Sequence, residues 1–265
     1  MDTKEEYNMN GNNYTATEFM AICGSRAIKD GEIVFTGTGL PVLSAMIAKK
    51  LTAPNATIVY EGGFIDCQNI DLALSVADSR LGYRAAASIG LIETLGCVLQ
   101  GSMVDIGFLG AAQIDEYGNI NTTYIGPFEK PIVRLPGSGG GNDIASSAKR
   151  IIIIMNHRKN KFVKKLDYFT SPGHIDGLGA RQRVGLIGGG PELVVTDLCQ
   201  MDFDEKEKQI RLKTVHPGVT VEKVKDEVMF DLIIPDNVPT TRLPSPDELK
   251  TVRGLDPNRI YLGKG

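Results

Sequence analysis

Runs of β-branched and aromatic residues alternate with amphipathic stretches along the first quarter of the chain. Residues 57–60, Thr-Ile-Val-Tyr, form one such run, which predicts a buried strand. The capping-box spacing from Thr15 to Glu18 predicts a helix before it, and residues 41–51 show a second helical pattern. The order helix, strand, helix, strand is typical of a parallel sheet with helices on its faces. We therefore predict an α/β fold.

The remainder of the chain predicts further strands and ends in a different composition. We expect the chain to form a single domain, residues 1–265, with residues 1–14 as a loose lead-in. From Asp236 the chain is rich in proline and charge, and we expect residues 236–265 to run as an extended tail along a surface. Further strands are predicted at residues 104–110, 151–155, 167–169, 192–204 and 209–215, and a helix at residues 221–228.

The first candidate for chemistry is the carboxylate that ends the strand at residues 57–60. Glu61 follows this run directly, and Gly62 and Gly63 come next. Ligand crevices of open α/β sheets lie at the carboxyl ends of strands, and glycines without side chains would let a substrate approach the carboxylate. The alternative is a surface glutamate at a strand-to-turn junction, which is a common arrangement. This stretch alone does not decide between the two.

Two glycine-rich turns are candidates for binding anions. The turn Gly37-Thr-Gly39-Leu-Pro41 joins a predicted strand to a helix and resembles a phosphate cradle, but it lacks the full dinucleotide or Walker spacing. The loop Gly137-Ser-Gly139-Gly140-Gly141 leads into a helix of small residues. Its successive amides could form a concave site that stabilises the oxyanion of an acyl-transfer intermediate. The alternative for both is a turn that permits close packing.

Composition excludes several classes of function. The net charge is −3, so nucleic acid and anionic membrane surfaces are unexpected partners. No stretch approaches the length of a membrane span, and residues 1–13 lack the apolar core of a signal peptide. The four cysteines and three histidines are scattered, which predicts no metal site and fits a reducing cytoplasm. We expect a cytoplasmic protein.

Motifs in a fixed order along nearly the whole chain resemble the class I CoA-transferases, above all the beta subunit of glutaconate CoA-transferase. Each motif is weak alone, and their joint order carries the resemblance. They are Gly37-Thr-Gly39-Leu-Pro41, Tyr60-Glu61-Gly-Gly63, Gly110-Ala-Ala-Gln-Ile-Asp115, Tyr117-Gly-Asn-Ile-Asn121, Gly137-Ser-Gly-Gly140, Thr170-Ser-Pro-Gly173, Val194-Val-Thr-Asp197 and His216-Pro-Gly-Val219.

The resemblance implies a fold, a partner and a role for Glu61. The family fold is an open, mainly parallel sheet flanked by helices, and Glu61 falls on the catalytic glutamate. A separate alpha subunit completes the site, commonly as an α2β2 heterotetramer or a larger assembly. No cofactor is bound permanently, since coenzyme A is both substrate and covalent intermediate. The expected reaction moves CoA between an acyl-CoA, such as glutaconyl-CoA or a related small acyl- or dicarboxyl-CoA, and a carboxylate such as acetate.

Other site residues follow from the same resemblance. Amides of Gly137, Gly139 and Gly140 are expected to hold the oxyanion. We expect the substrate-binding residues to be Gly62, Gly63, Gln113, Asn119 and Asn142.

The resemblance is not complete at the catalytic turn. Glutaconate transferases typically carry serine where this chain has Gly62, which is expected to widen the pocket or alter an acyl contact. The carboxy-terminal stretch also resembles hydrolase subunits of the same superfamily that act on ring-containing CoA thioesters. A CoA-thioester hydrolase or lyase subunit is therefore the alternative function. The presence of Glu61 favours transfer, because those branches lack a glutamate at this position.

Overall fold

The computed structural model describes residues 13–68 and 72–263. Its helices are α1 (Ala16–Ser25), α2 (Leu40–Leu51), a 3₁₀ turn (Ser79–Gly82), a π-helix (Glu93–Leu99), α3 (Gly141–Ser147), α4 (Ala180–Arg183), α5 (Val221–Asp226) and α6 (Pro246–Leu255). Its strands are β1 (Ile33–Thr36), β2 (Thr57–Tyr60), β3 (Phe64–Ile65), β4 (Ala87–Ser88), β5 (Ile106–Leu109), β6 (Gln113–Ile114), β7 (Ile120–Asn121), β8 (Tyr124–Ile125), β9 (Val133–Arg134), β10 (Arg150–Ile154), β11 (Pro191–Val195), β12 (Cys199–Phe203) and β13 (Ile210–Val215).

Within the described ranges, nine of these strands form one sheet in the order β13-β12-β11-β10-β5-β1-β2-β3-β4. The five central strands, from β11 to β2, run parallel to their neighbours. Antiparallel strands extend both edges. The prediction of an open, mainly parallel sheet flanked by helices is therefore confirmed. The short pairs β6–β7 and β8–β9 are separate antiparallel hairpins that precede the glycine-rich loop at residues 137–141.

The strand sequences bury both faces of the sheet because successive side chains point to opposite sides. On β1, Val34 packs with α1 and α2 side chains, whereas Phe35 faces the core on the other side of the sheet. The same alternation separates Ile58 from Val59 on β2. Uninterrupted apolar runs such as the four isoleucines of β10 are typical of a parallel sheet covered on both faces.

The carboxy-terminal segment contains a helix, so the prediction of an extended tail over residues 236–265 is wrong. Ser245 caps α6 with a capping box to Glu248, and proline stands in the first turn. Helix α6 packs on α1 and α2, where Val252 is buried beside Ile22 and Ile47. It forms a third layer outside the helices that cover the sheet.

Two predicted strands also differ from the structure. Residues 192–204 form two strands, because the Thr196 hydroxyl accepts the amides of Leu198 and Cys199 and turns the chain between β11 and β12. Residues 167–169 form no strand, and the Asp167 carboxylate instead accepts the amide of Gly126. Of the predicted lead-in, residues 1–12 lie outside the described residues, while Tyr14 is buried with its ring 5.2 Å from that of Phe19.

Candidate active site

Glu61 lies directly after β2, one of the five central parallel strands, in a tight turn. The Gly63 amide donates to the carbonyl of Tyr60 (2.9 Å), which closes the turn. The Glu61 side chain is half-buried. The turn between Gly37 and Gly39 follows the adjacent strand β1, whose residue Thr36 is in register with Tyr60. Glu61 and this first glycine turn therefore lie at the same edge of the sheet.

Both glycines after Glu61 are required by backbone segments that cross over the turn. A Cβ atom at Gly62 would lie 2.2 Å from the carbonyl oxygen of Val76, and one at Gly63 would lie 2.0 Å from that of Ile89. Gly63 also has a φ of +90°, which side chains disfavour. A serine at position 62 would therefore displace the segment around Val76. The glycine is explained by this backbone contact, and not by a wider pocket alone.

The glycine-rich loop brings a backbone donor to the Glu61 carboxylate. The Gly140 amide donates to Glu61 Oε1 (3.1 Å), although 79 residues separate the two. A Cβ atom at Gly140 would lie 3.0 Å from the same oxygen, and one at Gly139 would lie 3.7 Å away. The absence of a side chain at Gly140 is therefore what lets its amide approach the carboxylate this closely.

The other two predicted oxyanion donors differ in availability. The Gly137 amide already donates to the Thr122 carbonyl (2.9 Å), which ties the loop to the preceding hairpin. The Gly139 amide, by contrast, donates to no group in the described part of the chain. Beside Glu61, the Gly140 amide therefore contacts the carboxylate itself and the Gly139 amide has no acceptor within the described residues, whereas Gly137 anchors the loop.

Asn142 fixes the loop from its other side. The backbone N–H of Asn142 donates to Ser138 Oγ (2.9 Å), and its side-chain Nδ2 donates to the Thr170 carbonyl (2.9 Å). The side chain of Ser146, one turn along α3, approaches Asn142 Oδ1 at 3.4 Å. Asn142 is exposed and lies two residues after Gly140 in the sequence. Its hydrogen bonds hold the glycine-rich loop in place next to the candidate site.

Gln113 and Asn119 are buried and have partners within the chain. Asn119 Nδ2 donates to Asp115 Oδ2 and to the Ile175 carbonyl, both at 2.8 Å. Asn119 Oδ1 accepts the amides of Gly173 and Ile175. This fills the two donor and two acceptor positions of the side chain. Gln113 is engaged similarly, since it donates to Asp167 (2.8 Å) and accepts from Asn121 (2.8 Å).

The sequence patterns miss one buried arginine close to the helix that follows the glycine-rich loop, because no pattern points to it. Arg181 of α4 is 2% exposed and faces backbone carbonyls instead of a carboxylate. Its guanidinium donates to the carbonyls of Gly188 (2.9 Å), Gly173 (2.7 Å), Ala145 (2.8 Å) and Ser146 (3.2 Å). Burial lowers the pKa of Arg181 to about 10, so it stays protonated at neutral pH. Arg181 thereby joins the end of α3 to two neighbouring loops, and Gly140 directly precedes the start of this helix.

The described residues offer no group of three or more histidine, cysteine or acidic side chains that could hold a metal ion. The histidines are instead structural and buried. For His157, His174 and His216, burial lowers the pKa to about 4. No helix in residues 13–68 and 72–263 is long and apolar enough to span a membrane.

Comparison with known proteins agrees with this arrangement. A family model for coenzyme A transferases matches residues 17–227. The chain is 39% identical over 243 residues to the B subunit of 3-oxoadipate CoA-transferase from Pseudomonas knackmussii, covering 92% of this chain and 94% of that protein. It is also 39% identical over 256 residues to the B subunit of glutaconate CoA-transferase from Acidaminococcus fermentans, covering 94% and 96%.

The fold agrees with a solved structure as well. The crystal structure of glutaconate coenzyme A-transferase from Acidaminococcus fermentans matches with a TM-score of 0.88 at 37% identity, over 96% of this chain and 99% of that one. Since the family model spans most of the chain and two relatives share well over 30% identity along nearly their whole length, the chain belongs to the coenzyme A transferase family, in which it is a class I beta-type subunit.

Proposed function

We propose that this subunit transfers CoA between a small dicarboxylic acyl-CoA and a carboxylic acid through a thioester on Glu61. The observation that carries the proposal is the contact between Glu61 Oε1 and the Gly140 amide at 3.1 Å, at the end of a central parallel strand. A carboxylate in this position can act as a nucleophile, and the same amide can hold the oxyanion that develops during attack. The names of the two relatives specify the dicarboxylic acids 3-oxoadipate and glutaconate. Glutaconyl-CoA with acetate is therefore the first substrate pair to test.

The proposed reaction proceeds in two matched halves. The Glu61 carboxylate attacks the thioester carbonyl of acyl-CoA, giving a mixed anhydride of the acyl group with Glu61 and releasing CoA thiolate. The thiolate then attacks the glutamyl carbonyl, which frees the original acid and leaves CoA on Glu61 as a thioester. An incoming carboxylate attacks this thioester and displaces the thiolate, and the thiolate takes the new acyl group from the anhydride. Glu61 is thereby regenerated with no net change in bonds to the enzyme.

The amides of Gly139 and Gly140 are the proposed oxyanion donors. One such donor is typically worth about 3 kcal/mol in the transition state. Both lie in a loop that is fixed by the bonds of Asn142 and Gly137, so they need no rearrangement when charge develops. In the resting enzyme the Gly140 amide binds the Glu61 carboxylate itself, which orients this oxygen before substrate arrives.

Both intermediates react readily with water, so the site needs a cover. Glu61 is only half-buried in this chain, and Leu91 and Ile92 nearby are 56% and 82% exposed. They precede Thr94, whose hydroxyl lies beside Gly63. We propose that an alpha subunit covers this apolar surface and excludes water, in an α2β2 or larger cytoplasmic assembly. The two relatives are each named as one lettered subunit of a larger enzyme, which supports such a partner.

Steady-state kinetics of the co-purified enzyme test this proposal. Ping-pong transfer predicts parallel double-reciprocal lines when acyl-CoA is varied at several acid concentrations. Glu61→Asp should lower kcat by at least about 100-fold, because it withdraws the carboxylate by one methylene. Glu222→Gln, which removes an exposed carboxylate from α5, is the matched control and should leave kcat within about twofold. Thioester loss at a rate independent of added acid would support a hydrolase instead.

A further inference from the structure

A small aromatic cluster, formed by two rings of the β8–β9 hairpin and by Tyr168, carries one arginine. The ring of Tyr124 lies 5.7 Å from that of Phe128 and 5.2 Å from that of Tyr168, measured between centroids. We call these three rings the aromatic shelf. The guanidinium carbon of Arg134 lies over it, 5.7 Å from the Tyr124 centroid and 5.8 Å from the Phe128 centroid. These distances are within the range of cation–π attraction.

The Arg134 guanidinium has no carboxylate or carbonyl partner in the described part of the chain, although the backbone of this residue pairs with that of Tyr124. Most other arginines are engaged, as in the ion pairs of Arg26 with Glu248 (2.7 Å) and Arg150 with Glu32 (2.6 Å). Arg134 is exposed, and Phe128 below it is 61% exposed. A guanidinium that lies over aromatic rings without a hydrogen-bond acceptor can offer its N–H groups to a ligand, and its planar fork matches a carboxylate with two parallel hydrogen bonds.

The hairpin that carries Arg134 is joined directly to the catalytic loop. One residue beyond Arg134, the Leu135 amide donates to the Thr123 carbonyl (3.0 Å). The Gly137 amide and the Thr122 carbonyl pair at 2.9 Å, and Thr122 Oγ1 donates back to the Gly137 carbonyl at 2.8 Å. Six residues separate Arg134 from Gly140, so their Cα atoms lie at most about 21 Å apart, and the turn of the loop shortens this. These hydrogen bonds therefore connect the hairpin that carries Arg134 to the loop whose Gly140 amide contacts Glu61.

We propose that Arg134 binds the second carboxylate of a dicarboxylic substrate, the one that does not react, with the aromatic shelf packing against the carbon chain between the two ends. This inference rests on the proposed transfer function and names the residue that selects its acid. The arginine fork can pair with a carboxylate or with a phosphate of CoA, and the apolar rings beside Arg134 favour the carboxylate at the end of a short carbon chain. A monocarboxylic acid would gain nothing from this arginine. The shelf also supplies an apolar surface of the kind that methylene groups contact.

The test compares two acceptor acids of equal length in the co-purified two-subunit enzyme, glutarate and pentanoate. Arg134→Gln should lower kcat/KM for glutarate by between about 10- and 100-fold, the usual consequence of losing hydrogen bonds to a charged group. The value for pentanoate should change by less than about threefold. Arg134→Lys keeps the charge without the fork and should give a smaller loss, again confined to glutarate. Lys130→Gln, which removes a positive charge from the same hairpin, is the control and should affect neither acid.

Two outcomes would overturn the inference. Equal losses for both acids with a raised KM for acyl-CoA would assign Arg134 to a phosphate of CoA, and unchanged kinetics for glutarate would remove it from the site. These results are separable from failure of the proposed function. If the wild type transfers CoA to neither of these acids nor to acetate, the transfer reaction itself is wrong. If it transfers to both and Arg134→Gln does not distinguish them, only the role of Arg134 is wrong.

Discussion

Arg181 gives the sharpest prediction for stability, because its burial without a carboxylate partner is unusual. Four of its hydrogen bonds to backbone carbonyls are 3.2 Å or shorter. Hydrogen bonds to charged groups contribute about 1.5–3 kcal/mol each, but such contributions are not additive, and the buried guanidinium itself costs desolvation energy. We expect Arg181→Met to lower the free energy of unfolding by about 3–5 kcal/mol, since the carbonyls lose their donors together.

The neighbouring Arg183 provides a matched control on the same helix. It pairs with Asp176 at 2.6 Å, but the two side chains are 60% and 67% exposed. An exposed pair of this kind contributes at most about 1 kcal/mol, so Arg183→Met should be close to neutral. Urea unfolding followed by circular dichroism, at equal protein concentrations, measures both variants. Hydrogen exchange should also accelerate in residues 137–147, because α3 loses its brace. A loss below about 1 kcal/mol for Arg181→Met, or one equal to that of Arg183→Met, would refute this reasoning.

Two further predictions concern the pH dependence of stability and the turn that follows Glu61. The pKa of each buried histidine is lowered to about 4 by desolvation, in His157, His174 and His216. Between pH 6.5 and pH 4 the unfolded chain therefore binds more protons than the folded chain. The free energy of unfolding decreases as the pH falls through this range, by about 1.4 kcal/mol per histidine for each pH unit. Burial raises the pKa of Asp115 to about 6, so protonation of this carboxyl stabilises the folded chain as the pH falls and offsets the effect of about one histidine. A urea midpoint that does not change between pH 7 and 5 would contradict the prediction. Gly62→Ala should lower the free energy of unfolding by about 1–3 kcal/mol, because the new methyl group would clash with the Val76 carbonyl. Gly37→Ala is the control and should change stability far less, because a methyl group at Gly37 would point into open space. Equal urea midpoints for the two variants would contradict this prediction.

Local patterns predict the parts of the fold whose stability is local. The capping box at Thr15 and the apolar run at residues 57–60 place α1 and β2 correctly, because a cap and a buried strand each leave a short signature. The same capping box at Ser245 precedes α6, but the proline and charge around it favour an extended tail when they are considered alone. Proline is favoured in the first turn of a helix, so the capping box is the better guide at this position.

Contacts distant in sequence cannot be predicted from these patterns. The approach of Gly140 to Glu61 spans 79 residues, and only the family resemblance places both at one site. The turn between β11 and β12 depends on the Thr196 hydroxyl and contains neither glycine nor proline. The burial of Arg181 has no local signature either, since arginine is usually exposed and its partners here are carbonyls from three separate segments.

The central claim, that Glu61 carries CoA during turnover, is tested most directly by intact-mass spectrometry. The chain, co-purified with its partner, would be incubated with a panel of acyl-CoAs and then with a carboxylic acid. Transfer through Glu61 predicts a mass gain equal to CoA less one water, loss of this gain when the acid is added, and no gain in Glu61→Ala. An unmodified wild-type chain with continuing thioester loss that does not depend on the acid, or an adduct that persists in Glu61→Ala, would contradict it.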